Sequence, residues 1–177
     1  AWNPVELAGY AIWLTIFAVI GGFLASVLDR LMGMKRAIML ELSVITVILF
    51  LLLSITQESI FFGLIPSERI LEGSFYSHTH DWAYLAIAAA LGTFVTALLS
   101  SSRSMLVAIA PKQMIGEFFG LYAIAGTVTV WVGPLLIEIF TKAFNSQAIG
   151  ISTISILFIA GLVALSFVKY KKGDVVD

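Results

Sequence analysis

Cysteine is absent from the 177 residues. That excludes disulfides, thiol catalysis and cysteine-held metal, and it leaves the redox compartment unmarked. Charge is scarce as well. Asp, Glu, Lys and Arg make up 12% of the chain, about half the roughly 25% of an ordinary soluble domain. The net charge of −1 argues against a nucleic-acid partner, which would call for a basic face. The opening residues, Ala1 to Tyr10, carry no basic start and no small-residue cleavage site, so they do not read as a signal peptide. Neither G-x-S-x-G, nor H-E-x-x-H, nor a phosphate-cradling glycine loop with lysine occurs. No catalytic residues are expected, and the chain is not expected to be an enzyme or to drive transport with ATP.

Apolar residues fill the space the charges leave. They form 60% of the sequence, and the mean hydropathy is +1.03. A globule of this size cannot hide that much apolar surface from water, so lipid must be the solvent for much of it. A spanning helix needs about 20 mostly apolar residues, because the hydrocarbon is roughly 30 Å thick. Five stretches qualify: Val5–Leu28, Ala37–Ile55, Trp82–Ser102, Phe118–Phe140 and Ile149–Val168. The runs are continuous rather than alternating, which favours helices over barrel strands. The expected fold class is an all-α, polytopic transmembrane helix bundle.

Punctuation agrees. Asn3-Pro4-x-Glu6 reads as a cap, a first-turn proline and a glutamate reaching back. Trp2, Trp82 and Tyr84 sit at span ends, where aromatic belts form. Arg30, Lys35, Arg36, Arg103, Lys112, Lys169, Lys171 and Lys172 fall on one side of the five spans, and only Arg69 and Lys142 on the other. The positive-inside bias makes the first side cytoplasmic, with the start of the chain outside and its end inside. The stretch from Gln57 to Asp81 then faces outward. Within it Ser59–Ile65 is apolar enough to lie in the interface or to extend the second span.

The sharpest local signal is Asp29-Arg30-Leu31-Met32-Gly33-Met34-Lys35-Arg36. An acid at one helix end, a glycine turn and two bases before the next helix force two adjacent antiparallel helices. Asp29 can meet a neighbouring helix N-terminus or an arginine, since both offer positive charge; otherwise the segment is a plain basic loop. Arg103, near a span end, either snorkels to the headgroups or pairs with Asp29 or Glu117, and pairing is the favoured reading. Glu117 lies in the first turn of the fourth span, where a negative charge complements the helix dipole. Glu41 and Glu138 are acids inside spans, which makes each a candidate proton or substrate contact; both are also near enough to an interface to snorkel. Gly120, Gly126 and Gly133-Pro134 in the fourth span suit close packing, or bending during transport. Trp131 lines a cavity or packs, with packing favoured. Ser77-His78-Thr79-His80-Asp81 has too few convergent ligands for a metal site.

The Asp29 loop resembles the signature between the second and third helices of each half of a major facilitator superfamily transporter. That signature runs glycine, three residues, Asp-Arg, then glycine and bases. Here Ala25 replaces the first glycine, and one extra residue separates Asp29 from Gly33. Ser102-Arg103-Ser104, Ala110-Pro111-Lys112, Gly116-Glu117-Phe118-Phe119-Gly120-Leu121-Tyr122, Gly133-Pro134-Leu135-Leu136 and Ser146-Gln147-x-x-Gly150 follow in order. This order is similar to the vacuole-effluxer-like branch of that superfamily, bacterial permeases resembling the yeast vacuolar amino-acid effluxer. The resemblance implies that the five spans are the last five of twelve. Their partners would be the lipid bilayer, a small-molecule solute, and a seventh helix and amino-terminal half outside this chain. It implies secondary transport, with amino-acid efflux as the suggested activity, across a bacterial inner (plasma) membrane. Asp29, Arg30, Gly33, Lys35, Arg36, Arg103 and Glu117 would then form a gating latch, and Glu41, Gly126, Trp131, Gly133, Pro134 and Glu138 the transport path or hinge. No cofactor is expected beyond a proton or other coupling ion. The competing expectation is a truncated, membrane-embedded assembly or interaction subunit. A weaker one is an intramembrane enzyme built on Glu41, Arg103 or the histidines.

Overall fold

The computed structural model describes residues 4–55, 59–60, 65–66 and 78–168. Five helices carry the fold: α1 (Pro4–Met32), α2 (Met34–Leu53), α3 (Thr79–Ile109), α4 (Ile115–Phe144) and α5 (Gln147–Phe167). All five are long and apolar enough to cross a membrane. The expected all-α bundle is what the chain forms, with a two-residue strand pair, Ser59–Ile60 against Ile65–Pro66, as its one addition among the described residues. The Asn3 cap, Trp2, Arg69 and the basic tail from Lys169 lie outside the described residues.

Several helices outrun the apolar stretches that announced them. Hydropathy marks the length of hydrocarbon, whereas a helix continues until its backbone is stopped. Nothing stops α1 before Gly33, whose φ of 84° is a left-handed conformation suited to glycine. Asp29 and Arg30 are therefore the last turn of α1 rather than loop residues, and the connection to α2 shrinks to one residue. α3 runs seven residues beyond its expected end. It stops at Ala110 (ψ 135°), because the following Pro111 disfavours helical geometry in the residue before it. α2 starts and ends earlier than expected: Ser54 caps it by donating its hydroxyl to the Leu51 carbonyl at 2.5 Å. Ser59–Ile60 and Ile65 are strand residues rather than a continuation of the second span.

The densest packing joins α1 to α3. Lipid is as apolar as leucine, so helices in a bilayer are held by close van der Waals contact and hydrogen bonds rather than by expulsion of water. On α3 a row at every fourth residue is buried: Leu85, Ala89, Thr93, Ala97, Ser101 and Met105. The facing row on α1 runs Trp13, Phe17, Gly21, Ala25 and Asp29. Spacing of four residues is the ridge along a helix surface, so two such rows interdigitate. The contacts fix a parallel pairing. Trp13 Nε1 donates to the Leu85 carbonyl at 3.3 Å, and Thr93 Oγ1 donates to the Phe17 carbonyl at 3.2 Å. At the centre a Cβ on Gly21 would collide with the Thr93 carbonyl. Tyr10 and Tyr84 close the far end, with ring centroids 6.0 Å apart.

α2 returns antiparallel beside this seam and buries Ala37, Glu41, Ile45 and Leu49. α4 and α5 form a second hairpin. Its turn is Asn145, which adopts a left-handed conformation (φ 48°). At Gly150 a Cβ would meet the Thr141 side chain and the Ile137 carbonyl. This hairpin rests on α2 through α5 and barely touches α3.

Gly21→Ala forces the seam apart and is expected to cost about 1–3 kcal/mol, the usual penalty of overpacking. Gly22→Ala, where a Cβ meets nothing, is expected to stay within about 0.5 kcal/mol of wild type. Thermal unfolding of the two purified variants in detergent separates these outcomes.

Candidate functional site

The parallel seam carries its row of small residues down to Asp29 on α1 and Ser101 on α3. α2 adds Glu41 at the same level. Glu41 is 0% exposed, as is Ser101, and the Ser101 hydroxyl donates to Glu41 Oε1 at 3.0 Å. Asp29 faces the same hydroxyl and the Glu41 carboxylate. A serine has one proton to donate, so one hydroxyl cannot satisfy two carboxylates. Asp29 Oδ1 and Glu41 Oε2 are both buried without a hydrogen-bond partner. Three helices thus converge on two acids and a hydroxyl.

This placement corrects three expectations. Asp29 meets a hydroxyl and a second acid, not an arginine or a helix N-terminus. Arg103 is exposed and makes no ion pair among the described residues with either Asp29 or Glu117. The reason is angular. Each helical residue turns about 100°, so Arg103, two positions beyond the inward-facing Ser101, points away from the seam. Glu41 does not snorkel either. α2 begins at Met34, which sets Glu41 about two turns inside the helix and wholly within protein.

The other candidates lie apart. Arg30 and Arg36 are exposed. Lys35 donates to the backbone carbonyls of Ser166 (3.0 Å) and Val168 (2.5 Å), capping the end of α5. A cation at a helix C-terminus offsets its partial negative charge. Glu117 is exposed in the first turn of α4. Glu138 pairs with Lys142 one turn on, at 2.6 Å, both side chains being mostly exposed. None of the residues of α4 is buried. Gly120, Gly126 and Gly133 have open space where a Cβ would stand, and Trp131 is 77% exposed. The favoured packing role of these residues is thus not met within this chain. The glycines that allow close approach are Gly21 and Gly150. His78 and His80 flank Asp81, whose carboxylate accepts the His78 backbone N–H at 3.2 Å and so caps α3. Among the described residues no three His, Cys, Asp or Glu side chains are grouped to hold a metal.

Ser101 escaped the sequence reading. Its signal was present as the four-residue spacing of Ala89, Thr93, Ala97 and Ser101, which resembles any small-residue face until a partner is known. Its neighbour Ser102 hydrogen-bonds the Tyr122 hydroxyl at 3.0 Å. That bond ties the Ser-Arg-Ser segment of α3 to the Phe-Phe-Gly-Leu-Tyr segment of α4.

The model of the family described as "Vacuole effluxer Atg22 like" matches residues 1–176. The chain belongs to this family. It is also 34% identical, over 94 residues, to an uncharacterized MFS-type transporter, YxiO, of Bacillus subtilis (strain 168). The match covers 53% of this chain and 22% of that relative. No solved structure matches. The five spanning helices and the family match support an integral membrane protein of transporter type.

Ser101→Ala removes the one donor to Glu41 among the described residues. Interhelical hydrogen bonds in bilayers average about 0.6 kcal/mol, but a buried acceptor left unsatisfied costs about 1–3 kcal/mol. The expected loss is therefore about 1–2 kcal/mol. Arg103→Ala, at an exposed position, is expected to change stability by less than about 0.5 kcal/mol. Equal losses in the two variants, read by thermal unfolding, would contradict this placement.

Proposed function

We propose that this chain serves as part of the carboxy-terminal half of a secondary transporter that moves a small solute by alternating access. The observation that carries the reading is the asymmetry of the bundle. α1, α2 and α3 are locked by a small-residue seam. α4 stands at its edge with no buried residue, and with Gly126, Trp131 and Gly133-Pro134 open along it. A lipid-facing helix has no need of glycine and proline, because both weaken a helix that nothing else supports. A helix that faces a second bundle across a solute path uses both, for close approach and for bending. Family membership supports the same conclusion. An amino acid is the solute class suggested by the vacuole-effluxer resemblance. The Gly33 end of the bundle faces the cytoplasm of a bacterial inner membrane, on the strength of the basic residues gathered there.

The full-length protein that carries this chain, reconstituted in liposomes loaded with amino acids, is expected to release them when a proton gradient is imposed. Trp131→Ala is expected to slow that release severalfold while leaving stability within about 0.5 kcal/mol, as for other exposed positions. Liposomes that release no amino acid under either gradient direction would remove the amino-acid assignment. Wild-type rates in Trp131→Ala would remove α4 from the path.

Orientation has a separate test, which the lack of cysteine in this segment makes clean. A single cysteine placed by Lys112→Cys is expected to resist a membrane-impermeant thiol reagent in intact cells and to react after the cells are opened. Labelling in intact cells would invert the assignment.

A further inference from the structure

Glu41 is fully buried, and its Oε2 has no partner. Asp29 Oδ1, across the Ser101 hydroxyl, is buried and unpartnered too. Among the described residues, the elements packed against Glu41 supply nothing positive. α1 presents Asp29, with Arg30 turned outward. α3 presents Ser101, with Arg103 turned outward. α5 contains no ionisable side chain. On α2 itself, Lys35 is engaged by the last carbonyls of α5, and Arg36 is exposed. Two carboxylates side by side between the helices, each with an idle oxygen, have no countercharge among the described residues and one serine proton between them.

One particle supplies both a countercharge and a second donor. A proton on either carboxyl removes one of the two charges and creates an O–H that can donate to the other group. A metal ion is a poorer fit. Hard cations such as calcium and magnesium take six or more oxygens, and the described side chains here are two carboxylates and a hydroxyl. We infer that Asp29, Glu41 and Ser101 form a proton-binding site in which one proton is held between two carboxyl groups and the serine hydroxyl orients them. Binding takes a proton from water and leaves the pair with one negative charge; release returns it to water and leaves two. The site lies where α1 and α2 join through Gly33 alone, so the repulsion created by release acts directly on the angle between those helices. Coupling of that motion to solute movement rests on the transporter reading above. The proton site itself does not.

The test is infrared difference spectroscopy of the full-length protein in lipid, comparing low with high pH. Wild type is expected to show a protonated-carboxyl band that vanishes as the pH rises. Glu41→Gln and Asp29→Asn are each expected to lose it. Both substitutions keep the shape of the side chain and remove a buried charge. Ser101→Ala retains both acids and is expected to shift the band without abolishing it, which covers the case in which either acid variant fails to fold. A band unchanged in both acid variants would overturn the proposal, as would a wild-type spectrum without the band. Displacement of the band by sodium at constant pH would replace the proton with a metal ion and overturn it equally. In liposomes Glu41→Gln is expected to abolish proton-driven flux. A protein that shows the band but moves no solute would keep the proton site and discard the transporter reading.

Discussion

The Thr93 carbonyl lies so close to α1 that only a hydrogen atom fits on the facing Cα, at Gly21. That contact sets the distance between α1 and α3, and much of the bundle is arranged around it. In lipid, two helices gain little from burying leucine against leucine. They gain from backbones that approach closely enough for dispersion and for side-chain hydrogen bonds to the opposite backbone. The Trp13–Leu85 and Thr93–Phe17 bonds are of this kind. With the spacing set by Gly21 and the register by those bonds, the row on α1 must meet the row on α3 down to Asp29 and Ser101. α2, tethered by a single residue, has no freedom except to bring Glu41 against them.

A bilayer protein is expected to neutralise its buried charges with opposite ones. Here the bases near the Gly33 end do other work. Lys35 holds the end of α5, while Arg30, Arg36 and Arg103 face outward. The separation follows from helical periodicity, since residues one or two apart project from different faces. It leaves an acid pair whose charge depends on what the surroundings supply. A paired arginine would have frozen that charge.

The hairpin of α4 and α5 is held differently. Its internal contact at Gly150 is tight, yet it joins the seam through α5 on α2, the Ser102–Tyr122 bond and the Lys35 cap. The attachment thus combines apolar packing of α5 on α2, with Gly161 against the Leu42 side chain, and two polar ties. The motif segments read in the sequence find physical reasons here. Ser102 and Tyr122 bond to each other, Pro111 ends α3, and Gly150 admits the turn of α4 beneath it.

Much was legible before any coordinates. Long apolar runs can be nothing but spanning helices, because a backbone in hydrocarbon must satisfy its own hydrogen bonds. Gly33 and Pro111 are punctuation that any chain must obey. The family could be read from the order of short motifs. Which face of each helix turns inward was not legible. These helices are apolar nearly all round, so their sequences carry little contrast between lipid and protein. Arg103 thus looked like the partner of Asp29, although Ser101, two residues earlier, holds that place. The α4 glycines looked like packing sites, although Gly21 and Gly150 do the packing. Covalent chemistry and the solvent dictated the helices, their ends and their number. Rotation and register, which three-dimensional packing alone selects, decided that two acids would share one hydroxyl.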